Sequence, residues 1–265
     1  MIQNKTKDMF VTELLNQLSP AKEDTYSFKH PFSHISTDGL EKATMLSELI
    51  QTPVEEIGLT QSFQNEEVAA VCWYVKINQH KVQGVTALVK EENSWEIRIM
   101  LNSFPATQFW REKVHALSKE LMDEAGWEFP AGTDTSTPEY DPSEKLDPKL
   151  PPGITLADDV VFEAPIVSKA LEGLETVTTA IGHASAVYGP REYKHKIMSG
   201  PFILSLWNVN ISGIKVEAAN LIQMNAEMKV AKMTVSFQPW PAIKLFHDRM
   251  RVRTRYFLSQ DYFEL

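Results

Sequence analysis

The hydrophobic positions change period several times along the chain, and each change marks an element. Residues 7–18 place Met9, Phe10, Leu14, Leu15 and Leu18 at near-helical spacing, which predicts a short amphipathic helix closed by Ser19-Pro20. Residues 26–28 read as extended and stop at Pro31, which cannot donate to a strand ladder. Ser36, Thr37 and Asp38 can cap a helix over about residues 40–50. Three or four strands follow. Residues 68–77 are almost wholly apolar, and 82–90 and 95–101 alternate. In the last of these Trp95, Ile97, Ile99 and Leu101 share a face, with Glu96 and Arg98 on the other. Pro105 then opens a helix to about Ala125, because its missing N–H costs nothing in a first helical turn.

The same order returns downstream. Residues 160–163 read as extended and 173–187 as a helix; 193–198, 202–210, 214–224 and 229–237 read as strands, and Pro241 opens a last helix. Short sequence matches accompany it. Phe28-Lys29-His30-Pro31 and Phe162-Glu163-Ala164-Pro165 lie 134 positions apart, as do Asp38-Gly39-Leu40-Glu41 and Glu172-Gly173-Leu174-Glu175. Val82-Gln83-Gly84-Val85 pairs with Ile211-Ser212-Gly213-Ile214, and Phe104-Pro105-Ala106 with Trp240-Pro241-Ala242. An ordered set of matches with drifting offsets reads as a duplication. Gly84 and Gly213 are expected at one point between two long strands, where a bend would curl the sheet. The expected organisation is an N-terminal helix (1–19), a first domain (20–128), a stiff Pro-rich linker (129–155) and a second domain (156–265). Helices gathered on one side of a curved antiparallel sheet make each domain α+β.

This order of elements resembles the nuclear transport factor 2-like superfamily, whose cystatin-like fold is shared by ketosteroid isomerases, polyketide cyclases of the SnoaL-like kind and epoxide hydrolases. The second domain carries the resemblance best, through Asp159-Val160-Val161-Phe162-Glu163-Ala164-Pro165, Gly173, Trp207, Gly213 and Val235-Ser236-Phe237-Gln238-Pro239-Trp240-Pro241-Ala242. The first is degenerate and matches through Phe28, Pro31, Gly39, Trp73, Gly84 and Pro105-Ala106. The resemblance implies two tandem cone-shaped α+β barrels, each enclosing an apolar pocket, joined as an intramolecular pseudo-dimer through the outer faces of their sheets. Its enzymes use a carboxylate inside the cone and would place Asp at position 220; this chain has Asn220, which can orient a ligand but cannot act as a general base.

Composition narrows the partners. The chain has 265 residues, 43% of them hydrophobic, enough for a core in each half. A formal net charge of −9 argues against nucleic acid and against an anionic membrane surface. The polar first residues lack a signal-peptide core and no apolar run approaches the ~20 residues of a membrane span, so the expected compartment is the cytoplasm. Cys72, the single cysteine, sits among apolar residues and reads as a small buried hydrophobe.

Strand parity selects the candidate site. In 214–224, Lys215, Glu217 and Gln223 read as outward, and Val216, Ala218, Asn220 and Ile222 as inward. Asn220, Asn208, His183, Tyr193 and Trp207 are the candidate ligand-binding residues, and no catalytic residue is identified. Asp158-Asp159 reads as a solvated turn or cap. His30 and His34 have metal-like spacing, but Pro31 intervenes and no third ligand is evident, so neither metal nor cofactor is expected. Arg249, Arg251, Arg253 and Arg255 read as a solvated face or a partner for the acidic linker. Three readings stay open: a binder of a small hydrophobic molecule; an isomerase, cyclase, dehydratase or epoxide hydrolase on a polyketide- or steroid-like substrate; and an interaction scaffold with filled cones.

Overall fold

The computed structural model describes residues 25–38, 49–92, 94–117, 128–141, 146, 148, 150 and 153–265. The helix expected over 7–18 and most of the one expected over 40–50 lie outside the described residues. The chain is a mixed α+β protein built on one 12-stranded sheet. In its first half β1 (Thr25–Lys29), β2 (Ser36–Asp38), β3 (Glu56–Gln64), β4 (Val68–Ile77), β5 (His80–Lys90) and β6 (Ser94–Leu101) lead to helix α1 (Phe104–Leu117). In the second, β7 (Leu156–Glu163), β8 (Leu171–Glu172), helix α2 (Leu174–Tyr188), β9 (Glu192–Ser199), β10 (Phe202–Ile211), β11 (Ile214–Met224) and β12 (Val230–Gln238) lead to α3 (Trp240–Arg253), and a 3-10 turn covers Gln260–Phe263. Among the described residues no helix is long and apolar enough to cross a membrane.

The main path of the sheet runs β3-β4-β5-β6-β12-β11-β10-β9. The halves meet at its centre through a single bridge, Leu101 opposite Phe237. In each half the first strand pairs parallel with the last, β1 with β6 and β7 with β12. The two central hairpins turn alike. Asn78-Gln79 joins β4 to β5 and Ser212-Gly213 joins β10 to β11, all four at positive φ, the two-residue turn that suits twisted strands. Gly213 therefore occupies a turn, whereas Gly84 lies inside β5 opposite Trp73, so the two glycines are not at one point of the fold. Gly84 is needed for a different reason: a Cβ there would stand 2.5 Å from Trp73 Cη2 and 2.8 Å from the Met100 carbonyl oxygen.

The apolar strands make sense once both faces of the sheet are followed. One face packs on the helices: Trp73, Val75, Trp207, Val209 and Val216 belong to the large core with Trp110, Tyr188 and Phe246. The opposite faces of the two halves pack on each other in a second core, where Cys72, Val85, Ala87 and Met100 meet Leu204, Leu206 and Ala219. The sheet thus folds back until its end strands β3 and β9 touch. There Gln61 Nε2 donates to Ser199 Oγ at 3.2 Å. A strand buried on both sides has no polar face to show, which is why β4 reads Val-Ala-Ala-Val-Cys-Trp-Tyr-Val-Lys-Ile.

Candidate functional site

The candidate site lies inside the second half, and it is built around Trp207. β10 and β11 pair antiparallel with Trp207 opposite Ala218 and Ser205 opposite Asn220. The small Ala218 leaves room for the indole to lean along β11, and its Nε1–H donates to Asn220 Oδ1 at 3.0 Å. Tyr188 of α2, Phe237 of β12 and Tyr193 of β9 surround the ring. The first half repeats the device: Trp73 lies over Gly84 and its Nε1–H donates to Thr86 Oγ1 at 2.9 Å.

Beside Trp207 and Asn220 is a cavity of about 40 Å³. Aromatic and aliphatic side chains line it, among them Phe162, Tyr188, Met233 and Phe246, with Arg191 as its cation and no carboxylate among the described lining residues. Leu150 of the linker and Leu258 and Phe263 of the C-terminal segment also form its wall. The volume is well below the several hundred Å³ of a drug-sized ligand site, so the interior of the second half is mostly filled by its own side chains. Burial pushes the Tyr188 phenol up from its ordinary range, so it stays a neutral donor. Arg191 sits over the Tyr188 and Trp207 rings and donates through Nη2 to Ser185 Oγ at 2.9 Å.

The structure divides the five sequence-derived candidates. Asn220 and Trp207 line the cavity together. Tyr193 touches Trp207 but is 40% exposed, at the rim. His183 does not line the cavity; it stacks on Phe257 and its Nε2 lies 3.5 Å from Tyr140 Oη of the linker. Asn208 faces away from the cavity, because it shares parity with Leu204 and Leu206, which belong to the core between the halves. Asp158 and Asp159 are exposed on β7. His30 is fully buried, its Nδ1 accepting from the Phe32 N–H at 3.1 Å, and burial pushes its pKa down to about 3. No group of three or more possible metal ligands occurs among the described residues. Of the C-terminal arginines, Arg249 donates to the Asp134 and Ser136 carbonyls of the linker, and Arg253 stacks on Tyr140.

A second polar centre lies between the halves, on the outward face of β11 that carries Glu217. Glu217 is 4% exposed, on the face that meets the first half. Its Oε1 lies 2.5 Å from Lys29 Nζ and 3.6 Å from Arg98 Nε, and its Oε2 accepts from Gln238 Nε2 at 2.6 Å. Burial works against its charged form. The Arg98 and Lys29 cations and the hydrogen bonds from Lys29 and Gln238 outweigh burial and hold the carboxyl below its ordinary range. Glu96 bridges Lys29 and Arg98 from β6. The signal in the sequence was a carboxylate in Val216-Glu217-Ala218-Ala219, a run too apolar for a solvated strand face.

No family model matches this sequence, and no curated protein matches it. Solved structures match in part. One is an uncharacterised bacterial protein with a cystatin-like fold from Silicibacter pomeroyi, 22% identical, covering 38% of this chain and 71% of that one at a TM-score of 0.37. Another is a steroid delta-isomerase from Pseudomonas aeruginosa, 17% identical, covering 39% and 77% at a TM-score of 0.37. A third is an NTF2-like protein of unknown function from Burkholderia xenovorans, 14% identical, covering 32% and 65% at 0.29.

Proposed function

We propose that the chain is a tandem pair of NTF2-like units forming a pseudo-dimer, and that its second cone binds a small apolar molecule without turning it over. The pairing is supported by contacts that exchange between the halves as they would across a two-fold axis. Leu101 and Phe237, at or next to the ends of comparable strands, bridge to each other. Phe104 and Trp240, which open comparable helices, stack at 5.8 Å. The Phe104 N–H donates to the Pro165 oxygen at 2.7 Å, and the Trp240 N–H donates to the Pro31 oxygen at 2.8 Å.

The observation that carries the non-catalytic reading is the Trp207–Asn220 hydrogen bond in a cavity with no carboxylate among its described lining residues. An amide whose oxygen is already engaged cannot take a proton from carbon. The apolar wall and the remaining Asn220 amide N–H favour a mostly hydrocarbon ligand with one acceptor. Space for it comes from moving Leu150, the linker residue in the wall. A cytoplasmic setting fits a chain with one unpaired thiol. The 40 Å³ volume favours a second reading, a scaffold whose cones are permanently filled.

A fluorescent hydrophobic probe such as anilinonaphthalene sulfonate separates the two. On the binding reading, Leu150→Ala enlarges the cavity, tightens probe binding several-fold, and Trp207 emission responds. If neither wild type nor Leu150→Ala takes up the probe, and native mass spectrometry finds no bound hydrophobe, the scaffold reading stands instead.

A further inference from the structure

A larger cavity of about 260 Å³ lies at the junction of the halves, apart from the cone. Its first wall is the end of β1 and the segment after it, with Lys29, Ser33 and His34; its second is β11 and the end of β12, with Lys215, Glu217 and Gln238. Gln238 is 2% exposed. Its Nε2 donates to Glu217, and since an ionised carboxylate only accepts, this fixes which end of the amide is nitrogen. Gln238 Oε1 is then a buried acceptor with no hydrogen-bond partner among the described residues, and His34 Nδ1, a donor or acceptor according to tautomer, also has none. Buried polar atoms are nearly always satisfied, so two unmet atoms on one cavity mark a place for a polar guest.

The corner built from the comparable residues of the other half is self-satisfied. There Asn102 Nδ2 donates to the Glu163 and Val235 carbonyls, at 2.9 and 2.7 Å. Charge decides what the open corner would take. Glu217 is already neutralised by Lys29 and Arg98, while Arg98 is matched by Glu96 and Glu91 on its far side. Lys215 stands 3.8 Å from Glu217 and 63% exposed, the cation least used by its neighbours. At about 30 Å³ per water the cavity holds roughly eight or nine waters, the size of a three-carbon polyol phosphate or hydroxy acid but not of a nucleotide.

We infer that this cleft binds a small hydroxylated oxyanion, its anionic group against Lys215 and His34 and a hydroxyl donating to Gln238 Oε1. The phosphate and carboxylate forms of that chemistry are distinguished by titrating the full chain with glycerol 3-phosphate and with glycerate, following amide NMR shifts and calorimetry. At least one is expected to bind with a Kd on the order of 1 mM and to shift the Ser33–Ser36 and Gln238 signals. Glycerol, which lacks the charge, and acetate, which lacks the hydroxyl, are expected to bind at least fivefold more weakly. Lys215→Ala, a substitution at an exposed side chain, is expected to weaken binding at least fivefold with an unchanged melting temperature; Gln238→Leu tests the acceptor wherever it folds. Failure of both ligands to bind, acetate binding as well as glycerate, or binding indifferent to Lys215→Ala would each overturn the assignment.

Discussion

At the scale of single residues, His30 couples the core to pH. It is enclosed by Phe28 and Phe32, and burial holds its pKa down at about 3, against an ordinary value of 6.5. The unfolded chain takes up a proton there near pH 6.5, and the folded chain does not until about pH 3. Between those values the unfolded state binds more protons, so stability falls as pH falls. From pH 7 to pH 5 the loss from this residue is about 2 kcal/mol. His30→Asn offers Oδ1 to the Phe32 N–H in place of Nδ1 and has no proton to take up. Urea unfolding at the two pH values should show wild type losing about 2 kcal/mol more than the variant. Equal losses would mean that His30 is protonated in the folded protein.

At the scale of elements, the paired hairpins β4–β5 and β10–β11 each depend on a tryptophan lying over a small residue, Trp73 on Gly84 and Trp207 on Ala218. At Gly84 the fit is close, since one of the atoms a Cβ would meet is the Met100 backbone oxygen, which cannot rotate away. Gly84→Ala should cost about 1–3 kcal/mol by overpacking. Chemical denaturation measures it; a loss below about 0.5 kcal/mol would show that β5 and β6 separate without strain. The sequence made most of these strands legible, because apolar runs and alternation survive in β4, β5, β6 and β10–β12. It hid β3, where Gly58, Gln61 and Ser62 interrupt any alternation on a largely exposed edge. Parity put Asn208 on the pocket side and Trp207 opposite, which the structure reverses, and it set Glu217 on the face away from Asn220. It failed to say what covers that face, since the partner surface is the other half of the chain, distant in sequence. Asn208 was misjudged for that reason: with the covering half unseen, the apolar face of Leu204 and Leu206 reads as the inside. Gly84 was matched to Gly213 because short glycine motifs align easily, whereas the turn Asn78-Gln79 has no glycine to reveal it.

At the scale of the whole molecule, the two halves share a core and a buried charge cluster, and this predicts that they unfold together. Glu217 belongs to the second half, whereas Lys29 and Arg98, which neutralise it, belong to the first. Glu217→Ala removes one of the two carboxylates between those cations, leaving Glu96, and strips Gln238 Nε2 of its acceptor, a change that costs about 1–3 kcal/mol. Cys72 reports on the result. It lies in the first half against Leu204 and Leu206 of the second, and burial pushes its thiol up to about 12, so it should resist thiol reagents in the native protein. In Glu217→Ala, labelling of Cys72 by a disulfide reagent should accelerate in step with the loss of stability, although the substitution is in the other half. Labelling and far-ultraviolet circular dichroism should then follow one denaturation curve, as expected of a single cooperative unit. Were Cys72 to remain protected while the second half melted, the halves would be independent domains in contact, and the core between them would be a docking surface instead of part of one fold.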